Sequence, residues 1–256
     1  MAQDDASQKT GSDSGDGLHR PNLPDNSSPE AIEFTRIIER LGELLRGGPK
    51  IDWPESRKRC AEILEELALG CEKSAALGKR LDGASFIKGG DEHLLARHSA
   101  DGETPRVYKL TYGENFGCFS RFFPKDPELT GRHFFAEGNA DPFFYLGRWV
   151  YLNSITHYQT RYEGILPPLQ GGVLPLICVS QPELPKENPS PWEIERALAR
   201  FGYLRISHET FIEKNSGILL TDVAPRNVRI VDGIPALFDV LAQKASDQIR
   251  RWAFPV

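Results

Sequence analysis

Residues 219–240 read LLTDVAPRNVRIVDGIPALFDV, a stretch in which short apolar runs alternate with polar residues. Asp222 and Asn227 lie in the first gap, and Asp239 ends the last run. The Asp232–Gly233 pair is a strong signal for a two-residue hairpin turn, so NVRIV and IPALF are predicted to be paired strands. Either the polar ends of these strands simply face water, or they converge on a site.

The residues before this stretch carry both strand and helix signals. Residues 84–112 contain SFIKGG, EHLLARHS and RVYKLTY, which predict a meander of three antiparallel strands. Helical spacing over residues 141–156, with a proline in the first turn, predicts a helix. YEGILPPL and VLPLICVSQPEL are strand candidates, and the second is expected to be central because it is continuously apolar. SPWEIERALARFGY predicts a helix capped by Ser190, with Glu193 completing a capping box.

The N-terminal part of the chain has a different composition. Residues 1–28 contain almost no apolar side chains and are predicted to be a disordered tail. Residues 29–79 predict a helical hairpin, in which the first helix follows an N-cap at Ser28 and the second covers residues 54–77. Residues 80–256 predict a compact domain. The expected fold class is α+β, with an antiparallel sheet early and a helical part later.

Composition argues against several classes of protein. The chain of 256 residues has 31 basic and 36 acidic side chains, a net charge of −5, so broad binding to nucleic acid or to a membrane surface is not expected. No apolar run approaches the roughly 20 residues of a membrane span, and no signal peptide is recognisable. The four cysteines form no CxxC pair, which argues against zinc and indicates reduced thiols in a cytoplasmic protein.

Lys109 lies in the third strand of the predicted meander. A lone strand lysine is usually a solvated edge charge. Followed by Asp222, Asn227 and Asp239, however, it belongs to the ordered set of residues used in kinase-type phosphoryl transfer. A lysine holds phosphates of ATP, an amide oxygen and a carboxylate hold Mg²⁺, and a second carboxylate accepts the proton of the attacking hydroxyl. We therefore expect Lys109 and Asp222 to be catalytic and Asn227 and Asp239 to be metal ligands.

The chain resembles the Ser/Thr/Tyr protein-kinase-like domain found in the polyvalent proteins of bacteriophages and other mobile elements. The resemblance rests on GGDEHLLARHSADGETPRVYKLTYGENFG, on LICVSQPEL followed by a helix, and on ILLTDVAPRNVRIVDGIPALFDV. It implies a minimal protein-kinase-like fold with an antiparallel N-lobe and a reduced helical C-lobe, which uses ATP and Mg²⁺. The phosphate-covering turn would contain Gly89 and Gly90, and the hinge that binds adenine would contain Ser180, Gln181 and Glu183. A plain hairpin turn and an ordinary strand exit are the alternatives for these two segments.

The sequence also departs from the kinase motifs. The glycine turn lacks G-x-G-x-x-G, Leu220 and Thr221 precede Asp222 where His-Arg is usual, and FDV replaces DFG. The helix over residues 141–156 has no interior glutamate to pair with Lys109, and Glu137 just before it is the nearest candidate. The chain ends soon after Asp239, which leaves no room for a long activation loop.

Three functions therefore stay open at this point. The first is a phosphotransferase acting on protein hydroxyls. The second is a pseudokinase that serves as a nucleotide-binding or protein-interaction module. The third is a small-molecule phosphotransferase resembling the aminoglycoside and choline kinases, which an acidic groove near Asp222 would favour. The expected partners are a nucleotide and either a protein or a small-molecule phosphoacceptor.

Overall fold

The computed structural model describes residues 28–45, 53–69, 71–90, 92–98, 104–112, 116–125, 129–138, 140–169 and 172–255. The predicted tail lies outside the described residues, apart from Ser28 at its end. Within these ranges the chain is α+β, as the sequence predicts, and its strand pairs are antiparallel. No helix in the same ranges has both the length and the apolar character that crossing a bilayer requires.

Six α-helices form across the described residues. They are α1 (Pro29–Leu45), α2 (Trp53–Leu69), α3 (Glu72–Arg80), α4 (Pro142–Asn153), α5 (Pro191–Ala199) and α6 (Asp247–Ala253). The predicted start signals are confirmed, because the hydroxyl of Ser28 accepts from the N–H of Ala31 at 3.2 Å and Ser190 forms a capping box with Glu193. These side chains satisfy backbone donors that the first turn of a helix leaves unpaired.

The prediction of one helix over residues 54–77 is wrong. α2 ends at Leu69 and α3 begins at Glu72, with Cys71 between them in extended backbone at φ −107° and ψ 112°. The sequence places Gly70 at this point, and glycine disfavours a helix interior by about 1 kcal/mol relative to alanine. The apolar spacing continues through the break, so periodicity alone did not reveal it.

Thirteen strands form among the described residues. They are β1 (Ile87–Gly89), β2 (His93–His98), β3 (Arg106–Thr111), β4 (Cys118–Phe122), β5 (Phe134–Gly138), β6 (Arg161–Leu166), β7 (Leu176–Pro182), β8 (Tyr203–Ser207), β9 (Thr210–Glu213), β10 (Ile218–Thr221), β11 (Val228–Val231), β12 (Ile234–Leu237) and β13 (Leu241–Lys244). The first sheet has the order β1-β2-β3-β7-β6, and the second has the order β13-β10-β9-β8. The pairs β4-β5 and β11-β12 are two-stranded.

The first sheet confirms the predicted meander and the interior place of the apolar strand. Strands β1, β2 and β3 follow one another in the sheet, and β7 lies between β3 and β6. The predicted hairpin turn is also confirmed, since Val231 pairs with Ile234 across Asp232 and Gly233, both of which have positive φ. A two-residue turn with both central residues at positive φ matches the twist of paired strands.

The C-terminal part contains more strand than the sequence suggested. The expectation of a helical part there is met only by α5 and α6, which accompany six strands, β8 to β13. The hairpin β8-β9 turns at His208 and Glu209, and Glu209 has a φ of 51°. Glycine, asparagine and aspartate usually fill such a position. The turn therefore carried no recognisable signal.

Helix α4 lies in the centre of the molecule. It packs against α1 on one side and against β13 on another. Buried residues of α1 and α2 belong to the same hydrophobic cluster as those of α4, β7 and the C-terminal strands. The helical hairpin of α1 and α2 therefore shares its core with the rest of the described chain.

Candidate functional site

A cavity of about 700 Å³ lies between the first sheet, the exit of β7 and the segments that flank β11 and β12. Six of the nine predicted site residues line it together, namely Gly89, Lys109, Gln181, Glu183, Asn227 and Asp239. Gly90, Ser180 and Asp222 are not part of its wall. Residues that are far apart in the sequence therefore converge on one concave surface.

Lys109 is a buried cation in an interior strand, which rules out a solvated edge charge. The residue is 5% exposed. Its Nζ donates to the backbone oxygen of Phe238 and lies 3.4 Å from Oδ1 of Asp239. Burial lowers the pKa of Lys109, and Asp239 is the strongest influence that opposes this shift. The carboxylate of Asp239 thus helps to keep the buried lysine charged.

Asp239 follows β12 and presents a carboxylate to the cavity. The backbone N–H of Phe238 donates to the backbone oxygen of Asn227 at 3.2 Å, and this bond joins the segment to the loop after β10. Burial alone would raise the pKa of Asp239, but Lys109, His93 and Arg148 together hold it well below its usual range. No hydrogen bond or ion pair from a described residue engages Oδ2. One oxygen of this ionised group is therefore available to a ligand.

Asp222 and Asn227 belong to one internally bonded loop. Asp222 has a φ of 56°, and a short 3-10 turn covers Pro225–Asn227. The Nδ2 of Asn227 donates to the backbone oxygen of Asp222 at 2.9 Å and to its Oδ2 at 2.8 Å, while Arg226 bonds its Oδ1. Because the amide nitrogen is the donor, the amide oxygen of Asn227 stays free for a cation. Burial raises the pKa of Asp222, against the opposing charge of Arg226.

The exit of β7 forms another wall of the cavity, and its polar side chains bond within the protein, except that Oε1 of Gln181 has no partner among the described residues. Ser180 is fully buried and accepts from Nε of Arg106 at 2.7 Å, so its side chain serves the sheet. The Nε2 of Gln181 donates to Thr160 at 2.9 Å. In contrast, the backbone N–H and C=O of Leu184, which lines the cavity, make no hydrogen bond to any described residue. A ligand at this wall would be recognised by backbone groups.

The glycine turn has a packing explanation that requires no ligand. A Cβ added to Gly89 would lie 2.4 Å from Cγ of Leu95, so a side chain there would clash within the sheet. Gly90 has a φ of 73°, and its oxygen accepts from the hydroxyl of Tyr112 at 3.0 Å. The role of both glycines in covering phosphates stays a prediction.

Glu137, the nearest candidate for a carboxylate partner of Lys109, pairs with another residue. Glu137 lies in β5 and pairs with Arg121 at 3.0 Å. The sequence did not show that Glu137 belongs to a strand, which ends before α4 begins. Asp239 takes the place of this partner.

Three site residues escaped the sequence analysis, namely Glu92, His93 and Arg148. Arg148 of α4 bonds both carboxylate oxygens of Glu92, at 2.6 and 2.8 Å, and its Nη2 lies 3.4 Å from Oδ1 of Asp239. His93 is buried, and its Nε2 is 3.0 Å from the hydroxyl of Tyr145. The recognisable signal was Arg148 itself, a lone charge in the apolar run PFFYLGRWVYLN. Such charges are rarely buried unless they are paired.

Glu92, His93 and Asp239 are close enough together to surround a cation. Arg148 and Lys109 already neutralise the two carboxylates. Burial lowers the pKa of His93 to about 4, so its imidazole is neutral near pH 7. Glu92 and Asp239 therefore form an ion-pair network with the two cations, and the neutral His93 lies beside them. The free oxygens of Asn227 and Asp239 are the better match for a hard divalent cation.

The charges around the cavity favour an anion. Five basic side chains line it, those of Arg97, Lys109, Lys186, Arg226 and Arg229, against the carboxylates of Glu183 and Asp239. This local balance is opposite in sign to the net charge of the chain, which is −5. No family model, curated protein or solved structure matches the chain.

Proposed function

We propose that the chain is an ATP- and Mg²⁺-dependent phosphotransferase with a minimal protein-kinase-like fold, of the type found in polyvalent proteins. One observation carries this proposal. Lys109, Asn227 and Asp239 line the same cavity, and Asp222 is bonded to Asn227 at its edge. These are the residue types that phosphoryl transfer requires, in the order along the chain that protein kinases use.

The residues of the cavity suit a nucleoside triphosphate. Lys109 would meet the phosphates with a charge held in place by Asp239, and the other basic residues would add to the favourable potential. Leu184 offers an unpaired backbone donor and acceptor to the base. Free oxygens of Asn227 and Asp239 would hold Mg²⁺, which when bound neutralises charge on the phosphates.

Asp222 is the candidate base for the acceptor hydroxyl. It would orient the hydroxyl and take its proton as the hydroxyl oxygen bonds to the γ-phosphorus of ATP and the bond from that phosphorus to the β,γ-bridging oxygen breaks, which releases ADP. Burial raises its pKa, which makes it a stronger base than an exposed aspartate, and Asn227 fixes its direction. We propose a protein hydroxyl as the acceptor. Arg226 is the charged group bonded to Asp222, so the acidic groove that would favour a cationic small molecule is not supported.

A pseudokinase is the second candidate, and one observation favours it. Lys109 is already engaged by Asp239 and by the oxygen of Phe238, whereas active protein kinases pair this lysine with a helical glutamate. Helix α4 supplies Arg148 at the site. A protein that binds nucleotide through this cavity and transfers no phosphate would fit the same geometry.

The experiment is a calorimetric titration of ATP into the wild type, Asp239→Asn and the control Asp232→Asn, with Mg²⁺ and with EDTA. Asp232 lies in the hairpin turn, where asparagine also accepts positive φ. We expect Mg²⁺ to raise the ATP affinity of wild type and control. In Asp239→Asn, the ratio of the affinity with Mg²⁺ to that with EDTA should be at least about tenfold smaller. Equal Mg²⁺ dependence in all three proteins would refute the metal assignment. No binding to wild type would refute the nucleotide site.

A further inference from the structure

Arg148 is a fully enclosed cation in an otherwise apolar helix. It is 2% exposed, and its neighbours in α4 are almost all apolar. Burial would lower the pKa of Arg148, but Glu92 and then Asp239 raise it, so the guanidinium stays charged. A buried charge of this kind is tolerated only when its partners compensate the lost hydration. The arrangement of those partners therefore indicates what the residue does.

Two of the three partners are consecutive residues beside the cavity. The Nε of Arg148 donates to the backbone oxygen of Val240 at 2.9 Å, and Nη2 lies 3.4 Å from Oδ1 of Asp239. One planar group thus holds both the main chain and the side chain of this segment. Because Lys109 also engages Oδ1, the carboxylate is oriented with Oδ2 left unpaired.

Glu92 is the third partner, and it completes the neutralisation of the network. It receives both hydrogen bonds from Nη1 of Arg148. Carboxylate oxygens of Glu92 and Asp239 lie within 4.8 Å of each other, and Arg148 contacts both groups. Without the guanidinium, these two carboxylates would lie close together with one cation fewer to hold them in place.

We propose that Arg148 is a positioning residue that orients the carboxylate of Asp239 for a divalent cation. In protein kinases a helical glutamate positions the phosphate-binding lysine. Here the charge on the helix has the opposite sign and acts on the metal-binding carboxylate. This inference rests on the proposed function, because it assigns Asp239 to a metal.

The test compares ATP affinity with Mg²⁺ and with EDTA in matched variants. The paired variant Glu92→Gln/Arg148→Met removes both charges, so that neither is left buried without a partner. Arg148→Lys keeps the charge and loses the forked geometry. The control is Arg121→Met/Glu137→Gln, which removes an exposed Arg–Glu pair with a contact of 3.0 Å. Melting temperatures without ligand show whether each variant folds. If the paired variant does not fold, the ATP titrations of Arg148→Lys decide the question.

We expect the paired variant to lose about ten- to hundredfold of the Mg²⁺-dependent gain in affinity, as partners of metal ligands typically do. Its affinity in EDTA should stay within about twofold of wild type, since the metal-free contacts are unchanged. Arg148→Lys should retain an intermediate gain, and the control should retain all of it. In an Asp239→Asn background, replacing Arg148 should cause no further loss of Mg²⁺ dependence.

The outcomes separate this inference from the proposed function. If Mg²⁺ raises the ATP affinity of the folded Arg148 variants as much as that of wild type, the proposed role of Arg148 is wrong and the nucleotide site is unaffected. A wild type whose affinity does not respond to Mg²⁺ overturns the metal assignment, and the role of Arg148 falls with it. A lower melting temperature together with an unchanged Mg²⁺ effect would show that Arg148 is only structural.

Discussion

Nζ of Lys109 and Nη2 of Arg148 both lie 3.4 Å from the same oxygen, Oδ1 of Asp239. The two cations come from a strand and a helix that the sequence separates widely. Their convergence gives one carboxylate a fixed direction and a free second oxygen. Under the proposed function, a bound triphosphate would approach Lys109 beside Asp239, since an ammonium group has three hydrogen-bond donors.

Lys109→Met should weaken ATP binding about ten- to hundredfold, because a hydrogen bond to a charged group contributes about 1.5–3 kcal/mol. The substitution keeps most of the apolar stem in the sheet. Lys88→Met, on the exposed strand β1, is the control and should change the affinity little. Calorimetric titration measures both variants. Equal affinities for the two variants would mean that Lys109 does not contact the phosphates.

Asp222→Asn should reduce phosphate transfer by about 10²–10⁴-fold and leave ATP affinity within about twofold of wild type. Asparagine removes the base but tolerates the left-handed backbone of this position, where φ is 56°. Single-turnover transfer to a protein acceptor, measured beside a binding titration, checks both statements. Transfer at the wild-type rate would exclude Asp222 as the base. If the wild type itself transfers no phosphate to any acceptor, the pseudokinase becomes the better description.

Asp141→Asn should remove a pH-dependent loss of stability. Burial raises the pKa of Asp141 to about 6, against the hydrogen bonds from the N–H groups of Phe144 and Phe143. The folded state therefore binds this proton more tightly than the unfolded chain, whose aspartate titrates near pH 4. The proton on Asp141 therefore contributes fully to stability below about pH 4, and this contribution is lost as the pH rises through about 6.

The measurement is the free energy of unfolding by urea at several pH values. Asparagine keeps the acceptor that caps α4, so the variant should equal or exceed the wild type above pH 6, by about 1–3 kcal/mol at most. Wild type should lose stability relative to Asp141→Asn between about pH 4 and pH 6. A variant less stable than wild type at pH 7 would show that the charge of Asp141 favours the helix terminus and is not a burden.

Gly164→Ala should destabilise the protein by roughly 1–3 kcal/mol, because an added methyl group has no room. Gly164 has a φ of 140°, and a Cβ there would lie 2.9 Å from Cα of Ser74 in α3. Gly83→Ala is the matched control, since its φ is 70° and no atom lies within 4 Å of the added carbon. Urea unfolding measures both. A similar loss in the two variants would attribute the effect to backbone strain alone.

The sequence was sufficient to predict those features of the fold that depend on local signals. The capping box of Ser190 and Glu193, the Asp232–Gly233 turn and the alternation around Lys109 depend on neighbouring residues only. Asn227 and Asp239 were predicted to belong to one site, and both line the cavity, while their roles as metal ligands stay a prediction.

What the sequence did not reveal is tertiary in origin. The bond between Arg148 and Glu92 joins residues 56 positions apart, and no local pattern pairs them. The hairpin β4-β5 lies in an aromatic segment without a recognised turn, and it carries Glu137 away from Lys109. The break between α2 and α3 was hidden because apolar spacing continued across it.

The register of β3 and β7 also bears on how the chain reaches this structure. Lys109 pairs with Val179, and between these two strands the chain forms β4, β5, α4 and β6. Closing so long a loop carries an entropic cost before the pairing returns any free energy, and folding rates fall as contacts become less local. We therefore expect the sheet that carries Lys109 to be completed late in folding, after the intervening segment has become compact. The cavity would then also be completed late, and partly folded chains would lack it.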